Sequence, residues 1–346
     1  MSRDNTRKTG RVVERAGHRH IVKGLGMIFL CAIFLMLNPV CVQAKNIVAT
    51  NHQKYDYKEY VEDLKQLENR YGKHCKVNVI GETADKRNLY EVVLGNPEAK
   101  KHLIVIANLH AREYMTTLLC MKQIEYYLQN YNKEIAGKKP AVVFDRVAVH
   151  IVPSCNPDGT AISQYGFNAI RNKTLRRKLK KMGGYATTWK ANARGVDLNQ
   201  NWGYKFKKSG KAGSSGYTGT KAASEKETKA IIAMVNGISE QGKIVGVVSY
   251  HAMGSIIFGK CADSATSSVK KKTQKMYQTA HKITGYSLYG SSSSRCQSRE
   301  YFLYKKKIPC ITLEIGRTTC PVPQSQFPTV WKENKELVLK EAALFY

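Results

Sequence analysis

Four runs dominated by apolar residues, at 103–109, 147–152, 244–250 and 308–315, constrain the fold of this chain most. Each is too short for a typical helix and lacks a regular polar alternation, so each reads as a strand buried on both faces. Two further segments, 76–80 and 89–94, flank a polar turn and read as an outer hairpin. Helical stripes lie between the runs. Leu118, Met121, Ile124 and Leu128 share one face, as do Val269, Thr273, Met276, Ala280 and Ile283, with Gly285 as a stop signal. Residues 331–345 carry a similar stripe. Such strands, interleaved with amphipathic helices, predict an α/β fold with helices on both faces of its sheet. No internal repeat or long linker divides residues 45–346, which read as one domain, and the Gly-, Ser- and Lys-rich stretch 204–219 reads as a surface loop. Chemistry in this kind of fold is expected where the central strands end.

The first 44 residues stand apart. Seven Lys and Arg face only Asp4 and Glu14, an apolar stretch runs from Met27 to Leu37, and Val42-Gln43-Ala44 offers a small-residue cleavage site. This is the pattern of a secretory signal. The apolar stretch, about 11 residues, falls short of the roughly 20 that span a bilayer. The expectation is a secreted or wall-associated product, with an uncleaved membrane anchor as the competing reading. The remainder holds 49 Lys and Arg against 24 Asp and Glu. That excess favours polyanionic surroundings; anionic wall polymers or membrane surfaces suit an exported chain better than nucleic acid, for which no motif is present. The lysine blocks (Lys205 to Lys211, Lys270 to Lys272, Lys305 to Lys307) interleave a single aromatic, Phe206, and read as solvated faces. Seven cysteines remain: Cys75, Cys120, Cys155, Cys261, Cys296, Cys310 and Cys320. An odd number leaves at least one unpaired or intermolecular. No CxxC pair offers a metal site, and a monomer is expected.

The run at 103–109 ends in His110-Ala111-Arg112-Glu113. A His and a carboxylate three residues apart beyond a buried strand can turn toward one point. Alone, the pair reads as readily as a loop histidine beside a helix-start glutamate. The run at 244–250 ends in His251, again at a strand terminus. Two His and one Glu form a donor set used by catalytic zinc, with a fourth position left open. Glu314 interrupts the apolar stretch Cys310 to Gly316. A carboxylate there is costly to bury without a partner or a role; a catalytic base and a salt-bridged core glutamate are the two readings. Asn156-Pro157-Asp158-Gly159 is by itself a turn signal. The stretch from Trp189 to Trp202, WKANARGVDLNQNW, is too polar for a core strand.

Taken in order, HARE, NPDG, RGVDLNQNW, the strand-end His251 and TLEIG resemble the zinc carboxypeptidase family typified by pancreatic carboxypeptidase A. The likeness spans essentially all of residues 45–346. It implies a single α/β domain with a mixed, twisted sheet of about eight strands between helices. It also implies one zinc ion held by His110, Glu113 and His251, with Glu314 as the base that activates water. Asp197 would orient His110, and Asn199 would bind the substrate carboxylate or backbone. Three positions depart from the family. The Arg that grips a free C-terminal carboxylate is here Gln200, and an amide lacks the guanidinium's charged fork. The oxyanion-stabilising Arg is replaced by Lys190, with Arg194 as a nearby alternative. The mobile active-site Tyr falls at Ser292, with Tyr289 the closest substitute.

The wording WKANARGVDLNQNW, with SYHAMGSII, is more similar to the bacterial branch that cleaves γ-D-glutamyl–diaminopimelate bonds in cell-wall peptides. The specificity-pocket position falls at Arg299, a cation suited to an acidic substrate group, or else a surface arginine paired with Glu300. A metallopeptidase acting on peptidoglycan stem peptides is therefore expected. A conventional carboxypeptidase is the first alternative, and a non-catalytic polyanion-binding protein the second. With only about 60 residues between Ala44 and the run at 103–109, no folded activation segment is expected.

Overall fold

The computed structural model describes residues 46–290 and 296–346. The expected signal at 1–44 and Ser292 lie outside the described residues. The described chain builds one eight-stranded sheet in the order β1-β2-β4-β3-β5-β8-β6-β7. The four apolar runs became its central parallel strands, β3 (Lys101–Ala107), β4 (Val147–Val152), β5 (Lys243–Ala252) and β8 (Cys310–Ile315). The expected hairpin is β1 (Cys75–Glu82) and β2 (Asn88–Leu94), antiparallel to each other, with β2 antiparallel to β4. Two three-residue strands complete the far edge, β6 (Ile256–Phe258) antiparallel to β8 and β7 (Ser287–Tyr289) parallel to β6. The sheet is mixed, as expected.

Strand β3 shows why its sequence carries no polar alternation. Leu103, Val105 and Ala107 point into one core cluster, whereas Ile104, Ile106 and Leu109 point into another on the opposite face. Successive strand residues face opposite ways, so burial on both faces leaves no polar position. The first cluster is closed by α1 (Tyr57–Tyr71), α2 (Met115–Gln129) and α7 (Ser267–Thr284), the second mainly by α6 (Lys226–Gln241). Helix α1 begins at Asp56, whose Oδ1 accepts from the amides of Lys58 and Glu59 at 2.9 Å. Helix α7 stops at Gly285, which is left-handed at φ 70°. The stripe at 331–345 is not one helix but part of two, Phe327–Asn334 and Leu337–Ala342. Residues 204–219 form a loop without helix or strand, and all seven cysteines are free thiols.

A third, smaller cluster lies off the sheet. Leu179 of α5 (Lys173–Met182), Ile162 of α4 (Pro157–Tyr165), Ile170, Trp189, Ala191 and Ala193 pack with Ala111. This cluster fixes the long polar stretch 189–202 against the end of β3.

Candidate metal centre and catalytic cleft

The central strands run parallel, so their C-terminal ends meet on one rim. Residue His251 pairs in register with Glu314, and the chain just past Ala107 on β3 reaches His110. Asn108, left-handed at φ 60°, makes that turn, and its amide donates to the His110 carbonyl at 3.0 Å. The NPDG segment holds the same turn from below. Asn156 Nδ2 donates to the carbonyls of Leu109 (3.1 Å) and Ala191 (3.3 Å), so the turn motif is a clamp beneath the site. The Ala111 amide donates to the Lys190 carbonyl at 3.0 Å, tying the 189–202 stretch to the His110 turn.

At this rim three buried side chains converge. Glu113 Oε1 lies 2.7 Å from His110 Nδ1, Glu113 Oε2 lies 3.0 Å from His251 Nδ1, and the two Nδ1 atoms are 3.2 Å apart. Among the described residues this is the one group of His, Cys, Asp or Glu whose donor atoms gather closely enough to hold a metal ion. Glu113 Oε2 also accepts from the Ala252 amide at 3.2 Å. Asp197 Oδ1 sits 3.1 Å from His110 Nε2, fixing the ring so that Nδ1 faces the group. Asp197 is itself held by the amides of Asn199 (3.1 Å) and Gly216 (3.1 Å). His251 differs: its buried Nε2 has no partner.

The electrostatics call for a cation. Burial works against charge on His110, yet the carboxylates of Glu113 and Asp197 raise its pKa to about 9. Burial pushes Asp197 up, but His110 outweighs it and brings the value to about 2. Glu113, opposed in the same way, is held well below the usual range by His110 and His251. His251, by contrast, is lowered, chiefly by burial. Two imidazole nitrogens facing each other across a shared carboxylate, with a second carboxylate behind, fit zinc's preference for nitrogen and oxygen donors.

Beside this group opens a cleft of about 190 Å³ lined by His110, Lys190, Asn199, Gln200, Arg299 and Glu314, with Phe258, Gln297 and Thr312. Burial raises Glu314 to about 8, and the Glu113 charge adds to the shift. Arg299 lines the cleft and is also paired, its Nη2 2.7 Å from Glu300 Oε1 and its Nη1 donating to the Lys260 carbonyl at 3.1 Å. Asn199 Oδ1 accepts from the Ser298 amide and hydroxyl. Two expected residues are not brought to the cleft. Arg194 does not line the cleft; its Nε meets Glu225 Oε2 at 3.2 Å instead. Tyr289 lies on the outermost strand, half exposed, with its ring 4.9 Å from that of Phe258. Phe258, Thr312 and Gln297 were not foreseen. Thr312 sits two residues before Glu314, where strand alternation puts it on the same face, and that signal was readable.

A model of the family described as zinc carboxypeptidase matches residues 60–337. The chain belongs to the zinc carboxypeptidase family. It is a zinc-dependent peptidase, and the His110–Glu113–His251 group is where its residues can hold the single metal ion. The chain is similar to gamma-D-glutamyl-L-diamino acid endopeptidase 1 of Lysinibacillus sphaericus, with 26% identity over 83% of this chain and 72% of that one. Among solved structures, thrombin activatable fibrinolysis inhibitor shares the fold at a TM-score of 0.66, with 19% identity over 87% of this chain and 80% of that one. Carboxypeptidase A of Helicoverpa armigera does so at 0.62, with 15% identity over 86% and 77%. Helices on both faces of a mixed sheet, as the sequence predicted, are thus those of the family.

Proposed function

We propose that this peptidase is exported and hydrolyses the γ-D-glutamyl–diaminopimelate bond of cell-wall stem peptides. The observation that carries the reading is the polar make-up of the cleft. Its cations are Lys190 and Arg299, and a neutral amide, Gln200, stands where a conventional carboxypeptidase would hold an arginine for a free C-terminal carboxylate. Likeness to an endopeptidase named for γ-D-glutamyl-L-diamino acid supports the same substrate class. The signal-like pattern of residues 1–44 supports export.

His110, Glu113 and His251 would hold the zinc, which would supply Lewis-acid polarisation and acidify water. The chain's own groups do the rest. Glu314, which lines the cleft, takes a proton from the attacking water and delivers it to the departing amine nitrogen. Lys190 places its ammonium where negative charge develops on the scissile carbonyl oxygen. Asp197 keeps His110 in the tautomer that presents Nδ1. Asn199 and Arg299 orient the substrate, Arg299 by accepting an acidic side group although Glu300 balances part of its charge.

Digestion of purified muropeptides beside a panel of ordinary C-terminal peptides, with products read by mass, tests the reading. Cleavage at the γ-D-glutamyl bond is expected, and Arg299→Ala should weaken acidic substrates selectively by about 1.5 kcal/mol. Release of single C-terminal residues from ordinary peptides, with muropeptides untouched, would overturn it.

A further inference from the structure

Helix α5, KTLRRKLKKM, has six cations in ten residues and no acid. Its apolar residues Leu175, Leu179 and Met182 share the inner face and pack into the small cluster with Trp189. At the helical period, Lys173, Arg176, Arg177, Lys180 and Lys181 consequently share the outer face, with Lys178 at its edge. Like charges three and four residues apart repel, so the helix carries a cost that its own packing does not require. The surface does not end with α5. Met182 lies against Gly195 and Gly213, where a Cβ on Gly213 would stand 3.0 Å from the Met182 Cβ. Gly213 belongs to the loop that exposes Lys205, Lys207, Lys208 and Lys211. Helix and loop thus meet at Met182 and Gly213 and together expose ten cations, none of which forms a salt bridge among the described residues. The other ion pairs show that acids are not lacking elsewhere, since Lys270, Lys226 and Arg317 each find one.

We propose that the outer face of α5 and the 205–211 loop form a docking surface for a linear polyanion, a flexible chain bearing an anionic group on every repeat unit. Neighbouring cations on the helix, one turn apart, match such repeats, and the two arginines can grip each group with two N–H donors. A bilayer surface fits less well: the apolar side of α5 is spent on the interior, which leaves no apolar stripe on the helix to enter a membrane. Nucleic acid fits less well for want of stacking aromatics. This surface is fastened to the cleft through Trp189, which anchors α5 beside Lys190. A bound polymer is therefore held next to the cleft, whichever peptide bond the enzyme cuts.

The test measures binding of inorganic polyphosphate and of poly-glutamate, with anionic vesicles and duplex DNA as controls, to the wild-type enzyme and to two variants, each lacking four charges. R176Q/R177Q/K180Q/K181Q removes the charge from the α5 part of this surface, and K270Q/K271Q/K272Q/K275Q removes equal charge from α7, whose side chains share no cluster with α5. Hydrolysis of a small peptide substrate reports that both variants are folded. Binding of either chain at low salt, falling steeply as salt rises, and weakened at least about ten-fold by the α5 variant alone, is the expected result. Equal loss in both variants would reduce the effect to net charge and overturn the proposal. So would retention of binding by the α5 variant, or binding confined to anionic vesicles or to duplex DNA.

Discussion

At the C-terminal ends of β3 and β5, His110, Glu113 and His251 aim their donor atoms at one point, all within 4.8 Å of one another. Toward the opposite end of β3, the same residue types make a different object. Asn78, Glu91, His150 and His102 stand on the four neighbouring strands β1, β2, β4 and β3 and bond in single file. Asn78 Nδ2 donates to Glu91 Oε2 at 3.0 Å, Glu91 Oε1 meets His150 Nδ1 at 2.8 Å, and His150 Nε2 meets His102 Nδ1 at 3.0 Å. The first group gathers charge and the second spreads hydrogen bonds. Burial, helped by the neighbouring His150, lowers His102 to about 4, so it stays neutral. The comparison teaches that two histidines and a glutamate in a buried sheet do not make a metal site. Convergence at a strand-end rim does, and the acids behind the ring then raise one histidine where the ladder lowers another.

The largest effect should come from breaking one cluster and not the other. His110→Ala should take bound zinc from about one per chain to near zero and abolish turnover, read by metal analysis after dialysis. His150→Ala should keep its zinc and lose about 1–3 kcal/mol of stability by taking the partner from buried Glu91 Oε1. Loss of zinc in both would erase the distinction. Next, Glu314→Gln should retain metal while losing roughly 10²–10⁴-fold in kcat; near-wild-type turnover would move the base elsewhere. A smaller effect is expected for Asp197→Asn, about 10–100-fold in zinc affinity by competition with a chelator, since it frees the His110 ring without removing a ligand. The smallest concerns pH. His102 protonates near pH 6.5 in the unfolded chain but near 4 when folded. The folded state thus binds fewer protons in that window, and stability is lost as pH falls from about 6.5 toward 4. Glu91, kept low by His150 against its burial, adds loss in the same direction. Urea midpoints should fall across this window, and His102→Gln should flatten the slope; an unchanged slope would mean the ladder does not titrate as described.

Much of this was legible in the sequence for a physical reason. A strand buried on both faces must be apolar throughout, so β3, β5 and β8 announced themselves, and His110, His251 and Glu314 stood out as polar residues where those runs end or break. Other parts carried no such signature. Strands β6 and β7, three residues each, are too short for a period, yet β6 brings Phe258 to the cleft. Helix α1 did carry a stripe, Tyr60, Leu64 and Leu67 behind the Asp56 cap, and was not singled out. That Lys190 would line the cleft while Arg194 pairs with Glu225 depends on long-range contacts that spacing cannot reveal. Nor does the strand pattern show that Tyr289 would land on the outermost strand.

X-ray absorption at the zinc edge of the purified enzyme tests the central claim most directly. The account predicts a shell of nitrogen and oxygen alone at about 2.0–2.2 Å, with the multiple-scattering signature of two imidazoles. That signal should be unchanged in His150→Ala. A sulfur neighbour at about 2.3 Å would mean that one of the free cysteines, rather than the His110–Glu113–His251 group, holds the metal.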